Sequence, residues 1–288
     1  MFFPDIARSL SQLTTGIQTD SGIGVGIAKN LASKGADIVI TYTSNSSTSL
    51  AADLVKELTT VYNVHALSVQ ADLGTTNGAQ SIVAAVKEAF AARGRSDVRI
   101  DIVVHNAGVA HNNPLSKITL DEFDRSYNVN VRGPLLLMQA VEPYLPHDRS
   151  GRVVCVSSVS STCGFPCQTV YGGTKAALEA MARTWARELA ERATVNSINP
   201  GPVATEMWFR NTPEVNEGIR PFSQHTPLMR VRPGIDPQDM VDGAKASGGR
   251  PATVDEIAGV VGMLCTPDAA WITGQVVCAN GGFIFGTQ

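Results

Sequence analysis

Short, apolar, β-rich runs alternate with longer stretches of helical periodicity along nearly all of the 288 residues. Ala36–Tyr42, His65–Gln70, Ile100–Val104, Arg152–Ser157, Val195–Ile198 and Gln275–Cys278 read as strands. Between them, Ile23–Ser33, Ser47–Thr60, Ala79–Ala92, Asp121–Tyr144, Val170–Glu191 and Val254–Leu264 read as helices. In the first helix Ile23, Ile27, Ala28 and Leu31 fall on one face. Strands apolar on both sides need cover on both sides, which is the signature of a parallel sheet between two helix layers. Right-handed crossovers then give a doubly wound α/β sheet. A seventh strand is expected at Arg8–Thr14, although that run is polar and patchy.

Composition narrows the function classes. Charged residues make up only 17% and apolar ones 43%, against about a quarter charged in average usage. That excludes a disordered chain. The net charge of −3 provides no field to hold nucleic acid or an anionic membrane. No apolar run approaches the roughly 20 residues of a membrane span. The five cysteines, Cys155, Cys163, Cys167, Cys265 and Cys278, form no C-x-x-C pair. Together with a start that lacks a basic, apolar leader pattern, they are read as reduced thiols of a cytoplasmic protein. His65, His105, His111, His147 and His225 show no ligand spacing, so no metal is expected. His111 and His225 are read as bystanders.

No linker divides the alternation, so 1–288 reads as one domain. The irregular stretch is Thr205–Arg250, with Pro213, Pro221, Pro227, Pro233 and Pro237 and little periodicity. Two readings fit it: a lid over a ligand cleft, or a surface insertion with its own small core.

Several constellations carry chemistry. Gly16, then five residues including Asp20, then Gly22-Ile23-Gly24 open the first helix. Glycines allow backbone to approach phosphates, and a helix N-terminus offers free N–H groups. Asp20 reads either as a helix cap or as a charge facing the pyrophosphate. Tyr171 and Lys175 stand four apart on one helix face, where an ammonium would lower a phenol from its ordinary value near 10. Ser158 follows a strand, where open α/β sheets bind ligands, and so does Asn106-Ala107-Gly108. Asn130 lies in mid-helix, an unfavourable position that calls for a reason. Each alone has a bland counterpart: a turn, a cap or a solvated face.

Taken together and in order, these pieces resemble the short-chain dehydrogenase/reductase family over essentially the whole chain. Asp72-Leu73, Asn199-Pro200-Gly201-Pro202-Val203-x-Thr205, Thr273-Gly274-Gln275 and Asn280-Gly281-Gly282 complete the likeness. Asp124–Gly133 and the run Thr41–Ser47 are similar to fungal hydroxynaphthalene and related polyketide reductases of secondary metabolism. The resemblance implies a seven-stranded Rossmann-type sheet and hydride transfer between a nicotinamide and a carbonyl or secondary alcohol. It implies Tyr171 as general acid or base, Lys175 on the nicotinamide ribose and lowering Tyr171, and Ser158 on the substrate oxygen. Asn130 would place a water beside Lys175. Gly16, Gly22, Ile23, Gly24, Asp72, Leu73, Asn106, Ala107, Gly108, Pro200, Gly201, Val203 and Thr205 would line the cofactor.

At the end of the second strand Tyr42, Thr43, Ser44 and Asn45 stand where an acid would select NAD by bonding the ribose 2′-hydroxyl. Hydroxyls and an amide there favour NADP(H), with NAD(H) left open. Cys163, Gly164 and Met207-Trp208-Phe209 are candidates for the substrate wall, the last equally for lid core. The expected substrate is an apolar, aromatic or polyketide-type ketone. The alternatives are a polyol or sugar, a 3-oxoacyl compound, or a family scaffold without redox turnover. The family likeness also implies a homotetramer or homodimer, with the helices Asp121–Tyr144 and Val170–Glu191 at one interface.

Overall fold

The computed structural model describes residues 11–15, 22–209 and 213–286. Seven strands form one sheet: β1 (Ser11–Thr15), β2 (Asp37–Tyr42), β3 (Ala66–Gln70), β4 (Ile102–His105), β5 (Gly151–Val156), β6 (Ala193–Ile198) and β7 (Val276–Val277). Their order is β3-β2-β1-β4-β5-β6-β7, and every pairing is parallel. The first strand is described over Ser11–Thr15, overlapping the expected Arg8–Thr14; residues 8–10 lie outside the described residues.

Helices cover both faces: α1 (Ile23–Ala32), α2 (Thr48–Tyr62), α3 (Gly78–Ala91), α4 (Leu120–Tyr127), α5 (Gly133–Val141), α6 (Ser160–Cys163), α7 (Thr169–Glu188), α8 (Glu206–Phe209), α9 (Pro213–Ser223), α10 (Gln238–Ser247) and α11 (Val254–Leu264). Strand periodicity shows how. Ile102, Val104, Val154 and Val156 pack with Ile27 and Leu31 of α1, Leu58 of α2 and Val261 of α11. Their neighbours Val103, Val153 and Cys155 pack on the other face with Ile82 of α3, Leu137 of α5 and Leu178 of α7. Each fully buried side chain of this size contributes about 1.5–3 kcal/mol, so successive residues secure opposite layers. The α1–α11 contact is close because Gly26 has no side chain: a Cβ there would stand 2.3 Å from Val254 Cγ1.

Two expectations are corrected. The stretch Asp121–Tyr144 is not one regular helix: between α4 and α5, Asn128–Arg132 forms a π-helical turn, and Glu142–Tyr144 is a 3-10 turn. The stretch 205–250, read as lacking periodicity, contains α8, α9 and α10. Pro213 opens α9, Pro237 precedes α10, and only Pro221 lies inside a helix, so the prolines largely punctuate helices here. Ile219 and Met229 from this stretch pack with Val159 and Phe283 into a small separate core.

Candidate active site

The strand order reverses direction between β1 and β4, the place where open α/β sheets bind ligands. The expected residues gather along this edge. Gly22 caps α1 in an extended conformation, and among the described residues no side chain caps the first N–H groups. Ile23 and Gly24 begin the helix. Gly16 and Asp20 lie outside the described residues. Tyr42 ends β2, and Thr43, Ser44 and Asn45 follow; Gln70 donates to the Thr43 carbonyl and to Asn45 Oδ1 at 2.7 Å. Ser44 Oγ clusters with Ser46 Oγ at 2.7 Å and Ser47 Oγ at 3.1 Å.

Asp72 and Leu73 follow β3. The Asp72 carboxylate accepts from the Gly74 N–H at 2.8 Å and from Arg125 at 3.1 Å, which fixes the turn. Leu73 is buried and its carbonyl crowds Gly133 at the start of α5. Asn106, Ala107 and Gly108 follow β4. Pro200, Gly201, Val203 and Thr205 follow β6, where Val203 bridges to Ala252 and Asn199 accepts from Asn280 at 3.4 Å.

At the centre, β5 ends just before Ser158, and α7 carries Tyr171 and Lys175 back across it. The Ser158 hydroxyl donates to Ser160 Oγ at 3.0 Å and accepts from the Ser160 N–H at 3.1 Å. Its side chain is also a neighbour of Tyr171, near enough to influence the phenol. Lys175 is buried, and its Nζ donates to the Val156 carbonyl at 2.7 Å. That ammonium lies 5.6 Å from the Tyr171 ring centroid. Burial lowers Lys175 to about 8, opposed by Cys155 and Glu179. Burial also raises the Tyr171 phenol, and the neighbouring Ser158 side chain opposes it. This corrects the expectation that Lys175 lowers Tyr171: in the protein alone desolvation wins, so the phenol keeps its proton at neutral pH.

Asn130 explains its own odd position. It sits in the π-helical turn, buried, with Oδ1 accepting from the Val109 N–H at 2.9 Å and Nδ2 donating to the Val109 carbonyl and to Thr174 Oγ1 at 3.0 Å. The amide thus ties the loop after β4 to the residue before Lys175. Such bulges widen the helix locally and recur at functional sites. Gly108 completes the cradle: a Cβ there would lie 3.4 Å from Lys175 Nζ and 3.5 Å from Asn130 Oδ1.

The substrate-wall candidates divide. Cys163 and Trp208 pack against the small core under 205–250, whereas Met207 is 43% and Phe209 73% exposed. Helical geometry splits the trio, since consecutive residues of α8 face different ways. Gly164 is the left-handed residue ending α6 and faces open space.

Three residues outside the expected set carry buried polar atoms close to these elements in the chain. Asn112 Oδ1, after β4, and Gln168 Oε1, one turn before Tyr171, are buried without a hydrogen-bond partner among the described residues. Glu179, one turn after Lys175, is buried and bonded to Ser157 and Ser161. The spacing of four that singles out Tyr171 and Lys175 reaches Glu179 when extended once more. Among the described residues no group of three or more His, Cys, Asp or Glu converges as a metal site, and no helix is long and apolar enough to cross a membrane.

This edge of the sheet, with its serine, tyrosine and lysine, defines a class, and the chain belongs to the short-chain dehydrogenase/reductase family. The family profile described as enoyl-(acyl carrier protein) reductase matches residues 16–241. The chain is 46% identical to an L-xylo-3-hexulose reductase of Hypocrea jecorina over 281 residues, covering 91% of this chain and 92% of the relative. It is also 46% identical to an L-xylulose reductase of Aspergillus niger, covering 92% and 94%. Among solved structures, an angucycline C-6 ketoreductase with bound NADP superposes with a TM-score of 0.78 at 29% identity, covering 96% of each chain.

Proposed function

We propose that the protein is an NADP(H)-dependent reductase that converts the keto group of an open-chain ketose to a secondary alcohol, with the reverse oxidation at high pH. The observation that carries the redox reading is the Tyr171 phenol beside Ser158, with the buried Lys175 ammonium one helical turn away and 5.6 Å from the phenol ring. The residues present fit a dinucleotide. Gly108 leaves a cradle that a Cβ would fill, the N-cap of α1 is a glycine that puts no side chain on the first N–H groups, and the end of β2 offers serine hydroxyls and Asn45 with no acid to repel a 2′-phosphate. Gly16, Gly22, Ile23, Gly24, Asp72 and the segments 106–108 and 200–205 would hold it, and Lys175 would hold the ribose hydroxyls. When bound, the nicotinamide supplies or accepts the hydride. Ser158 donates a hydrogen bond to the substrate oxygen, and Tyr171 gives that oxygen its proton. A phenol kept protonated by burial suits the reducing direction.

The substrate class rests on the relatives at 46% identity, which are named as ketose reductases. The aromatic, polyketide-type ketone expected first is the second reading. It is favoured by the rings of Phe165 and Phe283 packed with Phe222 of the 205–250 segment, which we read as a lid. We also infer a homo-oligomer, homotetramer or homodimer, in the cytoplasm.

The test is NADPH oxidation with a panel of ketoses, naphthol-type ketones and 3-oxoacyl thioesters. Turnover of ketoses with NADPH in preference to NADH is expected. Preference for the aromatic ketones would establish the second reading, and turnover of none would sink the redox assignment. Tyr171→Phe should lose about 100-fold or more in kcat/KM, the low end for acid–base catalysis. Alcohol oxidation, which needs the phenolate, should accelerate as pH rises, while reduction holds steady near neutrality.

A further inference from the structure

We propose that Glu179 is a positioning residue of the redox site, whose buried carboxylate joins the end of β5 to α7 and serves as counter-charge to the ammonium of Lys175. The inference rests on the redox reading above for its catalytic consequence.

Glu179 is only 5% exposed. Its Oε1 accepts from Ser157 Oγ at 2.6 Å and from Ser161 Oγ at 2.8 Å. Ser157 Oγ also lies 3.3 Å from the Lys175 carbonyl, but a hydroxyl has one proton, and the shorter bond to a carboxylate takes it. Ser157 and Ser161 flank Ser158 on either side. Glu179 therefore clamps the segment that carries Ser158 to the helix that carries Tyr171 and Lys175. Their spacing is what proton transfer depends on.

The charge argument is separate. A buried ammonium is costly unless a negative group compensates it. Lys175 spends one N–H on the Val156 carbonyl, which is neutral. The groups that face it are Cys155 from β5, Tyr171 and Glu179 from α7, and Asn130 from the π-helical turn. Cys155 is pushed up to about 12 by burial and so carries no charge at working pH. His105, beside Cys155 on β4, is lowered to about 3 and is also neutral. Tyr171 keeps its proton and Asn130 does not ionise. Glu179 is the carboxylate left to favour the ammonium, and it does so from one turn away through low-dielectric surroundings.

A crossed pair of variants separates charge from reach. Glu179→Gln keeps an oxygen for both serines and removes the charge. Glu179→Asp keeps the charge and withdraws from the serines. The readouts are the titration midpoint of Lys175, from ¹³Cε-labelled lysine spectra of the full chain assigned with Lys175→Arg, and kcat and KM for the best ketone across pH. For Glu179→Gln we expect the Lys175 midpoint to fall by about half a pH unit or more. The alkaline limb of kcat/KM should move the same way, with kcat near pH 6.5 within about threefold of the parent. For Glu179→Asp we expect an unshifted midpoint and a kcat about tenfold or more lower, with KM little changed. An unmoved midpoint in Glu179→Gln, or equal losses of kcat in both variants without a midpoint shift, would overturn the proposal. Should Glu179→Gln not fold, a parental kcat in Glu179→Asp overturns it instead. The Lys175 midpoint is read without turnover, so a protein that reduces no ketone fails the redox reading while the charge pairing is still decided.

Discussion

His105 shows how an ionisable side chain can be made inert by where the chain puts it. It ends β4 with both ring nitrogens buried and without a hydrogen-bond partner among the described residues. Its ring lies 5.8 Å from that of Trp185. Desolvation lowers its pKa from 6.5 to about 3. The sign for stability follows from proton counting. Above pH 6.5 neither state holds the proton. Between 6.5 and about 3 the unfolded chain binds one that the native state refuses, so stability falls as pH falls, by up to about 1.4 kcal/mol per pH unit. Urea unfolding at a series of pH values should show this slope, and His105→Leu should flatten it over that window. A variant with the parental slope would place the acid lability elsewhere. Lys175 is just as deeply buried and is lowered to about 8, with Cys155 and Glu179 opposing its desolvation.

At the scale of elements, the site depends on how closely α7 can approach α6. Gly172, between Tyr171 and Lys175, would place a Cβ 2.6 Å from the Ser160 carbonyl. That obstacle is backbone, so α6 itself would have to move. Gly172→Ala gains up to about 1 kcal/mol in helix propensity but costs about 1–3 kcal/mol in overpacking. A net loss of stability is expected, together with lower kcat, because Ser160 holds Ser158. Gly243→Ala in α10, where a Cβ meets nothing within 4 Å, is the control and should raise the thermal midpoint. If Gly172→Ala behaved like the control, the close approach would not be needed. The same comparison shows what was legible beforehand. The parallel sheet could be read because strands apolar on both faces leave few alternatives, and the Tyr171–Lys175 pair because helical spacing is local. The π-helical turn at Asn128–Arg132 could not be read, because it is paid for by contacts from Asn130 to Val109 and Thr174, distant in sequence. Nor could the split of Met207, Trp208 and Phe209, which depends on where the core beneath α8 lies. The role of Glu179 becomes visible only once its burial and its serine partners are known.

For the whole molecule, low charge has to be reconciled with what the surface still exposes. Single exposed apolar residues are ordinary; groups of them beside one element are less so. Leu120 is 80% and Phe123 41% exposed on α4, with Leu135 also exposed on α5, within the stretch expected to form an interface. Trp271, before β7, is 99% exposed, although tryptophan is highly buried on average and enriched where proteins meet. The two places belong to different parts of the fold: α4 lies against α7, whereas Trp271 adjoins the sheet edge formed by β7. Two self-complementary patches on one chain generate a tetramer with dihedral symmetry, and either patch alone gives a dimer. Light scattering should therefore find the protein at a multiple of its 30.4 kDa chain mass. Leu120→Glu and Trp271→Glu should each reduce it to a dimer, and the double variant to a monomer. A parent already monomeric at micromolar concentration would refute the oligomer. A parent that is dimeric and responds to only one substitution would assign the interface to that patch and leave the other to a different partner or to none.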